Sequence, residues 1–459
     1  MSVGRNVARL ALAAVALAAA TAGAWHAAQW RMPMLAEDRP QELRLILTLG
    51  GGALFAALLC NSRWLRGRGI ARWLSGAGLL IAAVAIVYTL GVEGWHQWMR
   101  HSVQTADPTR LERLGRHVIV GYTEIEDVEV LVRRKAVGGI FLSVRNVVGR
   151  TADQIRGDIA RVQAIRTEQG LPPLWVATDQ EGGIVSRLSP PLPRQPPLSA
   201  VVSGSAAGPE RSAAVADYAQ TQARGIASIG INLNFAPVVD LNFSVVNPND
   251  HNSRISQRAI SADANVVTEV AGSYCDVLMT AGVRCTLKHF PGLGRVVNDT
   301  HVGAADLAAP VSELTLTDWL PFRSLMGRGA MTMVGHARLL AIDPDLPVSI
   351  SQKVVGGLLR GEWRHDGPLV TDDFSMAAVY GSKPGIGGGA VLAINAGVDL
   401  LLVSFDEDLY YPLMYHLLQA DAAGELKAAM LERSEQRLAP LSRALPPPPV
   451  APASPRRDP

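Results

Sequence analysis

The chain has 459 residues, a formal net charge of +2 and 48% hydrophobic residues. This length is too great for one small core and allows one large domain or roughly two to four smaller ones. The nearly balanced charge gives no indication of nucleic acid or another polyanion as a partner. The apolar excess is concentrated at the N-terminus.

Three long segments in the first hundred residues contain no charged side chain. They lie between Arg9 and Arg31, between Arg44 and Arg63, and between Arg72 and Glu93. Each approaches the ~20 apolar residues that cross a bilayer as a helix, and helix is the form that satisfies the backbone of an isolated span in lipid. The sequence therefore predicts a membrane module over 1–105. Its transmembrane helices are predicted at about 10–30, 45–62 and 73–92.

The loops between these helices indicate an orientation. The second loop carries only basic charges, from Arg63, Arg66, Arg68 and Arg72, whereas the first mixes basic and acidic residues. Because positively charged loops stay in the cytoplasm, everything after about residue 95 is predicted on the outer face of the cell membrane. A signal peptide cleaved near Ala22–Ala24 is the alternative, and it leaves two helices and the same external placement.

Three cysteines, Cys60, Cys275 and Cys285, are too few for a disulfide framework. Cys60 lies in an apolar segment and is predicted to be inert. Cys275 and Cys285 are expected to be two buried thiols, with a bond between them as the alternative in an oxidising compartment.

From about residue 106, short apolar runs alternate with helical stretches. The runs are mostly unbroken, which is typical of parallel strands that helices cover on both faces. The predicted strands are 117–121, 138–143, 174–179, 231–240, 284–290, 331–336, 368–373 and 397–404. Eight such units over 106–440 favour an α/β fold of the (β/α)8 TIM-barrel type, with a doubly wound open sheet as the alternative. The Pro-rich segment 441–459 is expected to be a disordered tail.

Polar residues occur where several of these strands end. They are Asp179, Asp240, Lys288, His289, His336, Asp372 and Asp373. The C-terminal ends of the strands form the catalytic face of such barrels. A single aspartate there is usually a helix cap or a turn former, but capping does not explain several polar residues at equivalent positions.

The segment DQEGGIVSRL follows a predicted strand and contains Asp179 and Arg187. Its paired glycines allow the backbone to approach a ligand closely. A carboxylate beside a guanidinium suits sugar hydroxyls, which both donate and accept hydrogen bonds. Alone, the segment would be interpreted as a turn with a surface ion pair. The segment SQRAIS adds Arg258 and is a weak signal by itself.

The segment LKHFPGLGRVVNDTHVG places Lys288 and His289 at a strand end, where they are predicted to face a pocket. Its glycine-containing loop leads to Asp299 and His301. A carboxylate that binds one imidazole nitrogen fixes the tautomer and leaves the other nitrogen for proton transfer. A turn with a solvated histidine is the alternative.

The segment LVTDDFSM ends an apolar strand with Asp372 and Asp373. Burial and like-charge proximity separate the pKa values of such a pair, so that one carboxylate is available as an anionic nucleophile. The helix-capping role is assigned to Asp373.

In this order, these segments resemble glycoside hydrolase family 3, and specifically its single-domain β-N-acetylhexosaminidase (β-N-acetylglucosaminidase) branch, over residues 110–420. KHFPGLG, DTH and the strand ending in TD carry the resemblance. It implies retaining hydrolysis of terminal β-linked N-acetylglucosamine through a glycosyl-enzyme on Asp372, with His301, supported by Asp299, as acid/base and without a metal or organic cofactor. The residues that it assigns to the sugar hydroxyls are Asp179, Arg187, Arg258, Lys288 and His289.

The chain departs from the family pattern between Asp240 and Arg258, where LNFSVVNPNDHNSRISQR is less regular than usual. This departure leaves Arg254 as an alternative to Arg258. The membrane module is also outside the family's common architecture, and an external location points to peptidoglycan-derived glycans as substrates. A β-glucosidase or phosphorylase of the same family, and a non-catalytic membrane-tethered glycan-binding protein, are the alternative functions. The sequence does not indicate an oligomeric state.

Overall fold

The computed structural model describes residues 2–61, 69–245, 247 and 250–443. The chain divides after Gln104 into two compact units. Most of the predicted Pro-rich tail, from residue 444 onward, lies outside the described residues, as do Arg63, Arg66 and Arg68 of the basic loop on which the predicted orientation depends.

The first unit contains three long helices in its described part. They are α1 (Ser2–Gln29), α2 (Arg39–Asn61) and α3 (Ile70–Gln104). By length and composition, each of the three could cross a membrane. Helix α3 continues beyond its predicted end at about 92, because His96, Met99 and Val103 extend its buried face at helical spacing.

These three helices pack through small side chains. Ala20, Ala53 and Ala82, one from each helix, form a buried cluster. Small residues at such interfaces let helix backbones approach one another closely. A hydrogen bond between His26 Nδ1 and Glu42 Oε2, at 2.6 Å, also joins α1 to α2. The first apolar segment is thus a packed member of the helical unit.

The second unit is built on parallel strands. In its described part the strands are β1 (Val118–Gly121), β2 (Gly139–Leu142), β3 (Trp175–Thr178), β4 (Gln180–Gly182), β5 (Val185–Ser186), β6 (Leu233–Asn234), β7 (Arg284–Phe290), β8 (Asp306–Leu307), β9 (Met331–Val334), β10 (Arg338–Leu339), β11 (Leu369–Asp373) and β12 (Leu400–Val403). A closed barrel is formed by β1, β2, β3, β6, β7, β9, β11 and β12 in that order, with β12 returning to β1. The eight predicted strands and the barrel fold are confirmed, and the open sheet is excluded.

Helices separate the strands of the barrel. They are α4 (Pro108–Gly115), α5 (Ile125–Arg133), α6 (Val144–Val147), α7 (Ala152–Glu168), α8 (Leu198–Ser203), α9 (Pro209–Ser228), α10 (Ile255–Arg258), α11 (Ala264–Thr280), α12 (Val311–Leu316), α13 (Trp319–Leu325), a π-helix (Gln352–Glu362), α14 (Ala377–Tyr380), α15 (Gly385–Ala396), α16 (Tyr410–Ala422) and α17 (Ala428–Arg443). Helix α17 runs past the predicted domain end at residue 440.

The barrel interior is a packed apolar core rather than a pore. Phe141 and Phe235 stack within it with their ring centroids 5.8 Å apart. Leu438 of α17 belongs to the same cluster. The neighbouring Arg437 donates from Nε to Asp399 at 2.9 Å, and Asp399 directly precedes β12. Helix α17 therefore covers the N-terminal end of the barrel, opposite the face that carries catalysis.

Cys275 of α11 and Cys285 of β7 form a disulfide, with their Cα atoms 5.5 Å apart. The prediction of two buried thiols is therefore wrong. Helix α11 packs against the strand that follows it, and this brings the two cysteines within the Cα separation that a disulfide spans.

Candidate active site

The predicted site residues converge at the C-terminal ends of the barrel strands. Lys288 and His289 lie in β7 and Asp372 lies in β11, while Asp179 directly follows β3. Since all eight strands are parallel, these ends open onto one face of the barrel, where catalytic residues of such folds occur.

Four charged side chains form a buried ionic cluster on this face. The Nζ atom of Lys288 lies 2.7 Å from Asp179 Oδ1 and 2.6 Å from Glu181 Oε1. Arg258 forms a bidentate ion pair with Glu181, donating from Nε at 2.9 Å and from Nη2 at 2.7 Å. The side chains of Lys288 and Glu181 are only 2% and 6% exposed. Each buried charge thus has an opposite charge as its direct partner.

Glu181 is the shared anion of this cluster. Burial on its own would raise the pKa of Glu181, but Arg258 and Lys288 outweigh burial and lower it to about 2. Burial would likewise lower the pKa of Arg258, whereas its pairing with Glu181 raises it. The structure thus brings Arg258 into the cluster. Arg254 is exposed, and its backbone N–H donates to Asp250 at 2.8 Å.

His289 is held by the fully buried Asp240. Its Nδ1 lies 2.7 Å from Asp240 Oδ2, and its backbone N–H donates to the same carboxylate. Leu293 N–H donates to Asp240 Oδ1 at 2.7 Å. Arg258 Nη2 lies 3.3 Å from the other ring nitrogen, Nε2. Asp240 and Arg258 therefore fix the position of the His289 ring between them.

Asp372 is a half-buried carboxylate at the end of β11. Burial on its own would raise its pKa. Nearby imidazoles outweigh burial and lower the pKa of Asp372 below the usual value; they belong to His289, His336 and His301. The backbone N–H of Asp373 also donates to Asp372 Oδ1 at 2.9 Å. The local environment therefore keeps Asp372 anionic.

Asp373 points elsewhere and binds the loop that follows β12. Its carboxylate accepts the hydroxyl of Ser404 at 2.6 Å and the backbone N–H of Phe405 at 2.9 Å. It also accepts the backbone N–H of Ser375. The prediction that Asp373 caps the following helix is wrong, because α14 begins only at Ala377 and receives no side-chain cap.

The first N–H groups of α14 are bound instead by the loop that carries His301. Ala377 N–H donates to the carbonyl oxygen of His301 and Ala378 N–H to that of Thr300, both at 3.1 Å. Free N–H groups at a helix start require such acceptors. Because α14 closely follows β11, these two hydrogen bonds hold His301 near the strand that ends in Asp372.

Asp299 and His301 form the predicted pair. His301 Nδ1 lies 2.7 Å from Asp299 Oδ1, and its backbone N–H donates to the same oxygen at 2.9 Å. Burial would raise the pKa of Asp299, but the hydrogen bonds from His301 outweigh it and hold the pKa well below the usual range. The His301 side chain is 40% exposed, and its Nε2 makes no hydrogen bond to any residue that the structure describes. That nitrogen is therefore accessible for proton transfer.

The glycosyl hydrolase family 3 N terminal domain matches residues 111–441 of this chain. The chain belongs to glycoside hydrolase family 3. It is 33% identical over 302 residues to the beta-hexosaminidase of Xanthomonas euvesicatoria pv. vesicatoria, an alignment that covers 65% of this chain and 84% of that protein. It is 31% identical over 334 residues to the beta-hexosaminidase LpqI of Mycobacterium tuberculosis, covering 72% of this chain and 81% of that protein.

Solved structures are also similar to this chain. The β-N-acetylglucosaminidase from Paenibacillus sp. str. FPU-7 matches with a TM-score of 0.67 and 31% identity over 73% of this chain and 62% of that chain. The present chain thus spans less than two thirds of that protein. The β-N-acetylhexosaminidase from Beutenbergia cavernae has a TM-score of 0.65 and 29% identity, covering 74% of this chain and 100% of that chain.

One residue that the sequence predicts at the sugar, Arg187, stands apart from the ionic cluster. The backbone N–H of Arg187 donates to the carbonyl oxygen of Asp179 at 3.1 Å, so the hairpin of β4 and β5 holds the two residues together. The guanidinium itself is exposed and makes no hydrogen bond or ion pair within the described part of the chain. Among the described residues, no group of histidine, cysteine and acidic side chains has the arrangement of a metal site.

Sequence reasoning did not identify two residues that bind Asp299. Asn252 donates from Nδ2 to Asp299 Oδ2 at 2.7 Å, and Ser253 donates from Oγ to Oδ1 at 3.0 Å. Both lie in the segment that departs from the usual family 3 pattern. The irregular sequence of this segment could have indicated Asn252 and Ser253, because polar residues in a loop between two site motifs are well placed to contact the site.

Proposed function

We propose that this chain is a retaining β-N-acetylhexosaminidase that removes terminal β-linked N-acetylglucosamine from glycans. The main observation in support is that two backbone hydrogen bonds hold the His301 loop against α14, next to the strand that ends in Asp372. It supports a site in which an anionic carboxylate lies near a carboxylate-supported imidazole whose Nε2 has no hydrogen-bond partner among the described residues. The names of the family 3 relatives support the same activity.

In the first step, the Asp372 carboxylate attacks the anomeric carbon and the glycosidic C–O bond breaks. His301, protonated on both ring nitrogens, gives its Nε2 proton to the departing oxygen and keeps Nδ1–H on Asp299. A glycosyl ester on Asp372 results. Asp299 remains an anion throughout, because its hydrogen bonds keep its pKa low.

In the second step, water replaces the leaving group. His301 Nε2 takes a proton from the water molecule, whose oxygen attacks the anomeric carbon and releases the Asp372 carboxylate. Two inversions at one carbon give net retention. A histidine supported by aspartate thus takes the role that a second carboxylic acid has in most retaining glycosidases.

The ionic cluster is suited to a neutral sugar. The formal charges of Lys288 and Arg258 cancel those of Asp179 and Glu181, so the pocket can present donors and acceptors without net charge. We assign the sugar hydroxyls to Asp179, Arg187, Arg258, Lys288 and His289. Arg187 can supply its donors to substrate because its guanidinium has no partner among the described residues.

We further propose that the barrel lies on the outer face of the cell membrane, anchored by α1, α2 and α3, and acts on peptidoglycan-derived glycans. The three apolar helices support the anchor. The disulfide between Cys275 and Cys285 supports an oxidising compartment. Protease treatment of cells with a permeabilised wall and an intact cytoplasmic membrane should digest the barrel; full protection would contradict this placement.

The activity is tested by incubating the full chain in detergent with N,N′-diacetylchitobiose and with muropeptides carrying a terminal N-acetylglucosamine. We expect free N-acetylglucosamine, in the β-anomer at early times, from at least one of them. Binding without cleavage of any of these substrates would favour a non-catalytic glycan-binding protein.

Two further reactions have distinct products in the same assay. A sugar 1-phosphate formed in phosphate buffer would identify a phosphorylase. Cleavage of an aryl β-glucoside in preference to the N-acetylglucosaminide would identify a β-glucosidase.

A further inference from the structure

Asp299 receives donors from two directions. His301 donates from its ring and backbone to Oδ1. On the other side, Ser253 Oγ donates to Oδ1 at 3.0 Å and Asn252 Nδ2 to Oδ2 at 2.7 Å. The side chain of Asp299 is 1% exposed. With four donors within the protein, its carboxylate is held in one rotational position.

The two outer donors belong to a short turn, residues 250–254, which is itself held from within. Asp250 accepts the backbone N–H of Ser253 at 2.7 Å and that of Arg254 at 2.8 Å, each on a different carboxylate oxygen. Arg254 has a φ of 42°, in the left-handed region that non-glycine residues rarely adopt. Such a conformation persists where surrounding bonds determine it, often beside functional sites.

Ser253 also contacts Arg258, a member of the ionic cluster to which the sugar hydroxyls are assigned. Its carbonyl oxygen accepts a hydrogen bond from Arg258 Nη1 at 2.8 Å, while its hydroxyl donates to Asp299. One residue therefore connects the cluster assigned to the sugar hydroxyls with the pair assigned to proton transfer.

We propose that the 250–254 turn positions the acid/base of this enzyme, with Asn252 and Ser253 as positioning residues that act through Asp299 on His301. The inference rests on the proposed function. With the two donors in place, Asp299 directs one lone pair at His301 Nδ1 and cannot turn toward water. Without them, the carboxylate rotates, and the imidazole loses the alignment in which Nε2 reaches the glycosidic oxygen.

The test uses two substrates that need a general acid to different extents. Chitobiose has a poor leaving group that must be protonated as it departs, whereas 2,4-dinitrophenyl N-acetyl-β-glucosaminide has a leaving group that departs without protonation. For Ser253→Ala we expect kcat/KM on chitobiose to fall about 10–100-fold, which is part of the roughly 10²–10⁴-fold that general acid–base catalysis contributes. On the dinitrophenyl substrate we expect kcat/KM close to wild type.

Matched variants of the full chain complete the test. Ser256→Ala makes the same chemical change three residues along, at a hydroxyl without a hydrogen bond to the described residues, and should leave both substrates unaffected. Ser253→Thr keeps the hydroxyl and should restore chitobiose turnover. Asn252→Asp faces Asp299 with a like charge and should impair chitobiose selectively.

Equal losses on both substrates for Ser253→Ala, or no loss on either, would overturn the inference. His301→Ala distinguishes that failure from failure of the proposed function. If His301→Ala is selectively impaired on chitobiose and Ser253→Ala is not, the role of the turn is refuted while the acid/base assignment stands. If His301→Ala loses the same activity on both substrates, the acid/base assignment of His301 and the positioning role of the turn are both refuted.

Discussion

Replacing Glu181 with glutamine removes the anion that Lys288 and Arg258 share and leaves the shape of the side chain intact. The pKa of Glu181 falls from an ordinary 4.5 to about 2 in the folded chain. Removing one partner of a buried ion pair typically costs about 3–5 kcal/mol because the other charge stays buried without a counter-charge, and the side chains of Lys288 and Arg258 are both buried beside Glu181. At an unfolding entropy of roughly 2.1 cal/mol/K per residue, a unit the size of Thr105–Pro459 shifts by about 1.3 °C per kcal/mol, so we expect Glu181→Gln to unfold about 4–7 °C below wild type.

The assay is thermal unfolding of the full chain in detergent, followed by near-ultraviolet circular dichroism, with Glu210→Gln on the exposed start of α9 as the matched control. Because the folded pKa of Glu181 is depressed, its contribution is complete above pH 4.5 and is lost as the pH falls from 4.5 towards 2. The difference in unfolding temperature between wild type and Glu181→Gln should therefore become smaller as the pH falls from 4.5 towards 2. Two results would refute this role of Glu181. One is a change in unfolding temperature at pH 7 no larger than that of Glu210→Gln, and the other is a change that increases on acidification.

Three further predictions concern the reaction and the disulfide. Asp372→Ala should lower kcat by several orders of magnitude with unchanged circular dichroism, and near wild-type turnover of an aryl N-acetylglucosaminide would exclude Asp372 as nucleophile. Because the pKa of Asp372 is lowered from 3.8, the acid limb of kcat/KM should lie below that pH; a limb centred above about pH 5 would contradict an anionic nucleophile held in this way. The Cys275→Ser/Cys285→Ser double variant should lose ~3 kcal/mol of stability, and a reductant should destabilise wild type but not the variant; equal stability without reductant would argue against the bond.

The barrel could be predicted in detail because its signal is local. Each predicted strand contains the observed one, from Val118–Gly121 to Leu400–Val403, since unbroken apolar runs mark strands that are buried on both faces. Position along such a strand also predicts which side chains reach the catalytic face. The sequence alone predicts in this way that Lys288, His289 and Asp372 lie at the catalytic face.

Contacts between distant segments could not be predicted from such runs. The neighbouring carboxylates Asp372 and Asp373 have the same local sequence context, and only the loop after β12 explains why Asp373 binds Ser404 rather than a helix start. The bond between Cys275 and Cys285 likewise depends on how α11 packs on β7.

The choice between Arg254 and Arg258 has the same physical origin. Both residues occur in one irregular segment, and both carry the same charge. Arg258 enters the cluster because the buried Glu181 accepts its guanidinium. Arg254 terminates a turn in a left-handed conformation, and its side chain is exposed. The sequence presented two equivalent cations, and the position of a distant carboxylate distinguishes them.

The most direct test of the account is to trap the covalent intermediate. A fluorinated N-acetylglucosaminide with an activated leaving group forms the glycosyl ester faster than water removes it, and digestion followed by mass spectrometry then locates the added sugar. The account predicts the adduct on Asp372 in wild type and its absence in Asp372→Ala. An adduct on Asp373 or on another residue, or turnover with inversion and no adduct, would contradict it.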